Sequence, residues 1–150
     1  MVRSLQPWFE NIGKRQVKAP KIYMRDAGIL HALLAIENQQ QLHNFPRLGA
    51  FWEGFALEEV LRFYNIENNE CFFWGTQGRA ELDLLIFRAG KPIGIEFKYS
   101  DAPAVTASMK TAITDLGLAH LYVVHPGEGS FPMAENITCS GLQAFLQKQL

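Results

Sequence analysis

Three short apolar runs, each parted from the next by only four turn-forming residues, constrain this chain more than any other feature. They are residues 71–75, 80–87 and 92–99, separated by Thr76-Gln77-Gly78-Arg79 and Arg88-Ala89-Gly90-Lys91. Aromatic and branched runs of this length, joined by glycine-containing tetrapeptides, predict three consecutive antiparallel strands. Such a sheet must bury at least one face, and the flanking segments supply the cover. Ahead of it, residues 49–64 (GAFWEGFALEEVLRFY) repeat apolar side chains at helical spacing. Behind it, residues 102–116 read as a helix capped by Asp101 and closed by Gly117, and residues 119–124 as a buried strand. A helix between two strands of one sheet returns the second parallel to the first. The order predicts an α/β domain with a mixed sheet and helices on both faces. With 150 residues, 48% of them apolar, there is material for one such core and not for two.

The ends of the chain add smaller elements. Extended stretches at residues 2–7 and 17–24 flank Glu10-Asn11-Ile12-Gly13-Lys14 and predict a β-hairpin. Asp26 is placed to cap a helix over residues 27–36. The Gln-rich residues 38–46 and the Pro/Gly stretch 126–132 read as loops. Ile137 lies in a short extended piece, and residues 141–149 read as a last helix.

Charge is segregated along the chain. In residues 1–25, Arg3, Lys14, Arg15, Lys18, Lys21 and Arg25 oppose Glu10 alone, a net +5; the remainder carries 8 basic and 14 acidic residues, a net −6. The chain thus divides into a basic hairpin arm, 1–25, and an acidic α/β body, 26–150. Lys14, Arg15, Lys18 and Lys21 are candidate nucleic-acid contacts, and a solvated surface hairpin accounts for the same charge. No run approaches the roughly 20 apolar residues of a membrane span, and no apolar segment follows Arg3 as a secretory signal requires. Cys71 and Cys139 show no metal-ligand spacing and read as reduced thiols of a cytoplasmic protein. His31, His43, His120 and His125 lack such spacing too, and Trp8, Trp52 and Trp74 read as packing aromatics.

The chemistry-bearing residues emerge from the two periodicities. On a helical wheel, Glu53 falls among Ala56, Leu57, Val60, Leu61, Phe63 and Tyr64, whereas Glu58, Glu59 and Arg62 fall on the opposite side. An unpaired carboxylate in an apolar arc is costly. Strict strand alternation puts Glu81, Asp83, Leu85 and Phe87 on one face of the second strand and Leu82, Leu84 and Ile86 on the other. On the third strand it separates Ile93, Ile95, Phe97 and Tyr99 from Gly94, Glu96 and Lys98. A hairpin turning at Ala89-Gly90 makes Asp83 and Glu96 neighbours, and paired carboxylates repel unless a cation or a shared proton lies between them. Hard oxygen ligands of this kind hold Mg²⁺ or Mn²⁺ for phosphodiester hydrolysis, with an ammonium beside them to orient the attacking water. Asp83 and Glu96, supported by Glu53, are the candidate metal ligands, and Lys98 the candidate water-orienting group. Glu81 is a fourth acidic member or an ion-pair partner of Arg79 or Lys98.

Four segments together, KAPKIYMRDAGILHALL, GAFWEGFALEEVL, FFWGTQGRAELDLLIF and IGIEFKYS, resemble the C-terminal domain of unknown function found in many bacterial and archaeal predicted AAA+ ATPases. That domain in turn resembles the PD-(D/E)xK nucleases. The resemblance implies a restriction-endonuclease-like fold with an αβββαβ core, preceded here by the basic hairpin, and assigns the catalytic positions to Glu53, Asp83, Glu96 and Lys98. It implies Mg²⁺ or Mn²⁺ as cofactor, DNA as substrate and an ATPase module as partner. No Walker A pattern G-x-x-x-x-G-K-[ST] occurs in this chain. The expectation is therefore the C-terminal part of a longer ATPase or a truncated relative, with residues 1–25 similar to the end of a winged-helix linker. The alternative is a non-catalytic module that keeps the nuclease fold and binds nucleic acid or protein.

Overall fold

The computed structural model describes residues 1–78 and 80–150. The predicted hairpin forms from β1 (Val2–Pro7) and β2 (Lys21–Met24), paired antiparallel. Its second strand starts four residues later than expected, immediately after Pro20, which has no N–H for a ladder. Helices α1 (Ala27–Leu33), α2 (Gln39–His43) and α3 (Leu48–Phe63) follow. Asp26 caps α1 as predicted, its side chain accepting from Ile29 N–H. The stretch expected to be a loop contains α2, because Asn38 caps it and glutamine is a good helix former.

The three predicted strands are β3 (Cys71–Gly75), β4 (Glu81–Arg88) and β5 (Lys91–Phe97). Next come α4 (Ala107–Leu116), β6 (His120–His125), β7 (Ser130–Ala134), β8 (Ile137–Gly141) and α5 (Leu142–Leu146). Helix α4 begins later than residue 102, and its cap is Thr106 rather than Asp101. Pro103 disfavours helical backbone at the residue before it, and the Thr106 hydroxyl accepts from Met109 N–H. Part of the expected Pro/Gly loop is β7, an edge strand whose register shifts at Pro132, the kind of position a sheet tolerates for proline.

All the strands join one mixed sheet in the order β2-β1-β3-β4-β5-β6-β8-β7. The hairpin is therefore no free arm, since β1 lies parallel against β3. The α4 crossover returns β6 parallel to β5, as predicted. One face packs under α3 and α5, around Leu57, Val60, Leu61, Leu84, Ile86, Ile95, Phe97 and Phe145; the other packs under α4, around Trp74, Leu82, Leu85, Met109, Ala112 and Val123. Among the described residues no helix is long and apolar enough to cross a membrane.

Helix α3 departs from its wheel at two places. Phe63, expected in the buried arc, is 60% exposed, and Glu58, expected at the surface, is 3% exposed. The reason is that α3 packs against the hairpin as well as the sheet: Arg3 of β1 grips the Glu58 carboxylate through Nε and through Nη2, the latter at 3.0 Å.

Candidate functional site

The β4–β5 hairpin turns at Ala89 (φ 49°) and Gly90 (φ 76°), the paired left-handed conformations of a type I′ turn. From there the ladder runs Arg88↔Lys91 to Leu84↔Ile95. One further step of the same register sets Asp83 opposite Glu96, and there the ladder changes character. The Phe97 N–H donates to Asp83 Oδ2 at 3.0 Å, so the carboxylate closes the open end of the hairpin in place of a backbone carbonyl.

A bulge frees Asp83 for this role. On its other side β4 pairs Leu85 with Phe72 but Leu82 with Trp74, so Asp83 and Leu84 together face the single residue Phe73. This corrects the strict alternation expected of β4: Leu82 packs with Leu85 under α4, while Leu84 and Ile86 lie under α3. On β5 the expected alternation holds, with Ile93, Ile95 and Phe97 together on the α3 side.

The electrostatics follow from this placement. Glu96 is 4% exposed, and its pKa is pushed up to about 9, first by burial and then by the Asp83 carboxylate beside it, with Lys98 pulling the other way. Lys98 reaches Glu96 Oε2 with its Nζ at 3.3 Å. Burial opposes its charge, but Glu96, Asp83 and Glu53 outweigh that and raise its pKa, so Lys98 stays an ammonium. Glu53, half-buried on α3, is raised by burial and then by Asp83, with Lys98 and Lys21 opposing. The four predicted residues thus share one electrostatic neighbourhood.

Two further residues stand in it. In β2, Ile22 is 64% exposed, whereas its neighbours Lys21 and Tyr23 are half-buried against the body. Lys21 Nζ contacts the Glu81 carboxylate and lies 3.6 Å from Asp83 Oδ1. The Tyr23 hydroxyl is pushed up to about 12, mainly by burial, with Asp83, Glu81 and Glu53 adding to it and Lys21 opposing. The available signal was the i, i+2 spacing of Lys21 and Tyr23, which puts both on one side of the strand. The other arm candidates are spread out. Lys14 pairs with Asp115 at 2.6 Å, and Arg15 and Lys18 are exposed residues of the segment before β2. Glu81 finds Lys21 as its partner; of the two partners expected for it, Lys98 pairs with Glu96 and Arg79 lies outside the described residues.

The donor set suits a small hard cation. Asp83 and Glu96 offer two adjacent carboxylates, and Mg²⁺ needs only one or two from a protein because it keeps several of its waters. Among the described residues no group of three or more His, Cys, Asp or Glu is gathered closely enough to hold a metal. Glu53 therefore stands back from the pair rather than completing a three-carboxylate cage.

Comparison with known proteins gives a family and no activity. Residues 48–145 match the family described as "Domain of unknown function (DUF4143)", and residues 1–40 match "Domain of unknown function (DUF8612)". Over 137 residues, 91% of this chain, the sequence is 47% identical to "Uncharacterized protein Mb2031c" of Mycobacterium bovis and to "Uncharacterized protein Rv2008c" of Mycobacterium tuberculosis. The matched region is 31% of each relative's length. No solved structure matches the chain.

Proposed function

From the premise that the chain belongs to the DUF4143 family of domains of unknown function, we propose that it is a metal-dependent nuclease domain acting on DNA phosphodiesters at Asp83, Glu96 and Lys98. One observation carries the reading: a buried glutamate faces an aspartate across the open end of a hairpin, with a lysine ammonium at 3.3 Å. Asp83 and Glu96 would hold Mg²⁺ or Mn²⁺. When bound, the cation would offset charge on the phosphodiester and lower the pKa of a water. Lys98, held protonated by its acidic neighbours, would donate to the attacking water or to a phosphate oxygen and so orient the two. It serves as a donor rather than a base. Glu53, set back on α3, would act on the pair through its charge. The resemblance to domains attached to predicted AAA+ ATPases makes an ATPase module the proposed partner, in the part of the longer relatives outside the matched 31%.

A second reading, a nuclease-like module that binds a protein partner without cleaving, draws on the arm. Arg3, Lys14, Lys21 and Arg25 all turn their charge toward acidic groups of the body, which leaves less for a nucleic-acid backbone.

The test is cleavage of single- and double-stranded DNA with Mg²⁺ or Mn²⁺, alongside melting. At about ten times Kd a metal that binds only the folded protein adds roughly 1.4 kcal/mol, a rise of about 2–4 °C. Asp83→Asn should lose cleavage and that rise yet stay folded, since an amide oxygen still accepts the Phe97 N–H. Lys98→Ala should keep the rise and lose cleavage. A metal-dependent rise without cleavage in the wild type would favour the binding module.

A further inference from the structure

The N-terminal hairpin reaches into the acidic site, and Lys21 carries its charge there. Lys21 stands on the sheet's β2 edge, with β1 and β3 between it and β4, yet its ammonium contacts Glu81 and lies 3.6 Å from Asp83 Oδ1. It crosses the Phe73 ring on the way, Nζ 5.2 Å from the ring centre, a cation–π contact that steers the chain toward the bulge. Asp83 Oδ2 is taken by Phe97 N–H, so the oxygen Lys21 approaches is the one left for another ligand. A lysine is an unusual inward residue for a strand whose isoleucine points to solvent. Its placement makes sense as a charge supplied to the carboxylates.

We infer that Lys21 is a positioning residue of this site, an internal counter-cation beside Asp83 that a divalent metal must displace, so that metal loading at Asp83 competes with the Lys21 ammonium. The inference rests on the proposed metal role of Asp83 and adds to it the element that opposes loading. A +2 ion bound at Asp83 and a lysine ammonium within 4 Å of the same carboxylate repel each other, and the displaced ammonium keeps the Glu81 carboxylate it already contacts.

The experiment is calorimetric titration of Mn²⁺ into the wild-type protein, Lys21→Met, Lys21→Arg and Lys14→Met. Lys21→Met should bind Mn²⁺ at least about threefold more tightly than wild type, the scale of a partly exposed ion pair. Lys21→Arg, which keeps the charge, and Lys14→Met, which removes a cation paired elsewhere, should both match wild type. Tightening is what a merely structural lysine would not produce, because losing a structural contact weakens a site. If Lys21→Met fails to fold, Lys21→Gln carries the same prediction. Equal or weaker Mn²⁺ binding by the neutral variants overturns the role of Lys21 and leaves the proposed metal site standing. No Mn²⁺ binding by any of the proteins overturns both.

Discussion

Glu58 and Glu96 are both carboxylates almost withdrawn from water, 3% and 4% exposed, and the chain treats them in opposite ways. Glu58 is held by two hydrogen bonds from Arg3, with Arg25 Nε 3.5 Å from Oε2, and Arg3 is itself anchored to Asn68. Every charge there has a partner. Glu96 instead faces a second carboxylate and has a single lysine whose side chain is 40% exposed. The first arrangement ties β1 to α3 and has nothing left to bind. The second sets two carboxylates side by side, and Glu96 answers by holding its proton, which a cation bound there would replace.

The comparison breaks first at Arg3. Arg3→Ala leaves Glu58 buried and short of a partner, and stability should fall by about 3–5 kcal/mol, read as a lower urea midpoint. Replacing both partners, Arg3→Met with Glu58→Met, should recover most of that loss, because the penalty lies in the uncompensated charge. A loss below about 1 kcal/mol for the single variant would mean that Arg25 alone satisfies Glu58.

At Glu96 the sign reverses. Its folded pKa, about 9, lies above its ordinary value of 4.5, so the native state binds more protons than the unfolded one in between. The stability linked to this group is fully present below 4.5 and is lost as pH rises toward 9. Glu96→Gln is neutral throughout, so in metal-free buffer it should exceed wild type by several kcal/mol at pH 8, up to about 5 kcal/mol. The gain should vanish near pH 4. A gain that is the same at both pH values, or a loss at pH 8, would mean that burial and the Asp83 carboxylate do not raise the Glu96 pKa.

Much of this was legible in the sequence because two periodicities carry it. The β4–β5 hairpin needed only its strand runs and the Ala89-Gly90 turn, and its register follows from the turn. Asp83 opposite Glu96 came with it, although the route differed: a bulge, not strict alternation, aims Asp83, and a bulge leaves no mark in a run such as ELDLLIF. Glu53 was legible from its wheel. Glu58 was not, since a wheel describes one buried stripe and α3 has two contacts, the second with a strand more than 50 residues earlier. Lys21 was read as a candidate nucleic-acid contact and not as a neighbour of the carboxylates, because its partners, Glu81 and Asp83, come about 60 residues later. Non-local ion pairs of this kind are set by the order of strands in the sheet, and single-sequence patterns carry little of that order.

The central claim is that Asp83 and Glu96 form a divalent-cation site, and the most direct measurement is proton release on metal binding. Mn²⁺ or Mg²⁺ would be titrated into wild type and Asp83→Asn at pH 7, in two buffers of different ionisation enthalpy. With Glu96 protonated beforehand, wild type should release close to one proton per metal bound, and Asp83→Asn should show neither binding nor release. Millimolar metal that fails to bind wild type, or that binds Asp83→Asn equally well with no proton released, would contradict the account.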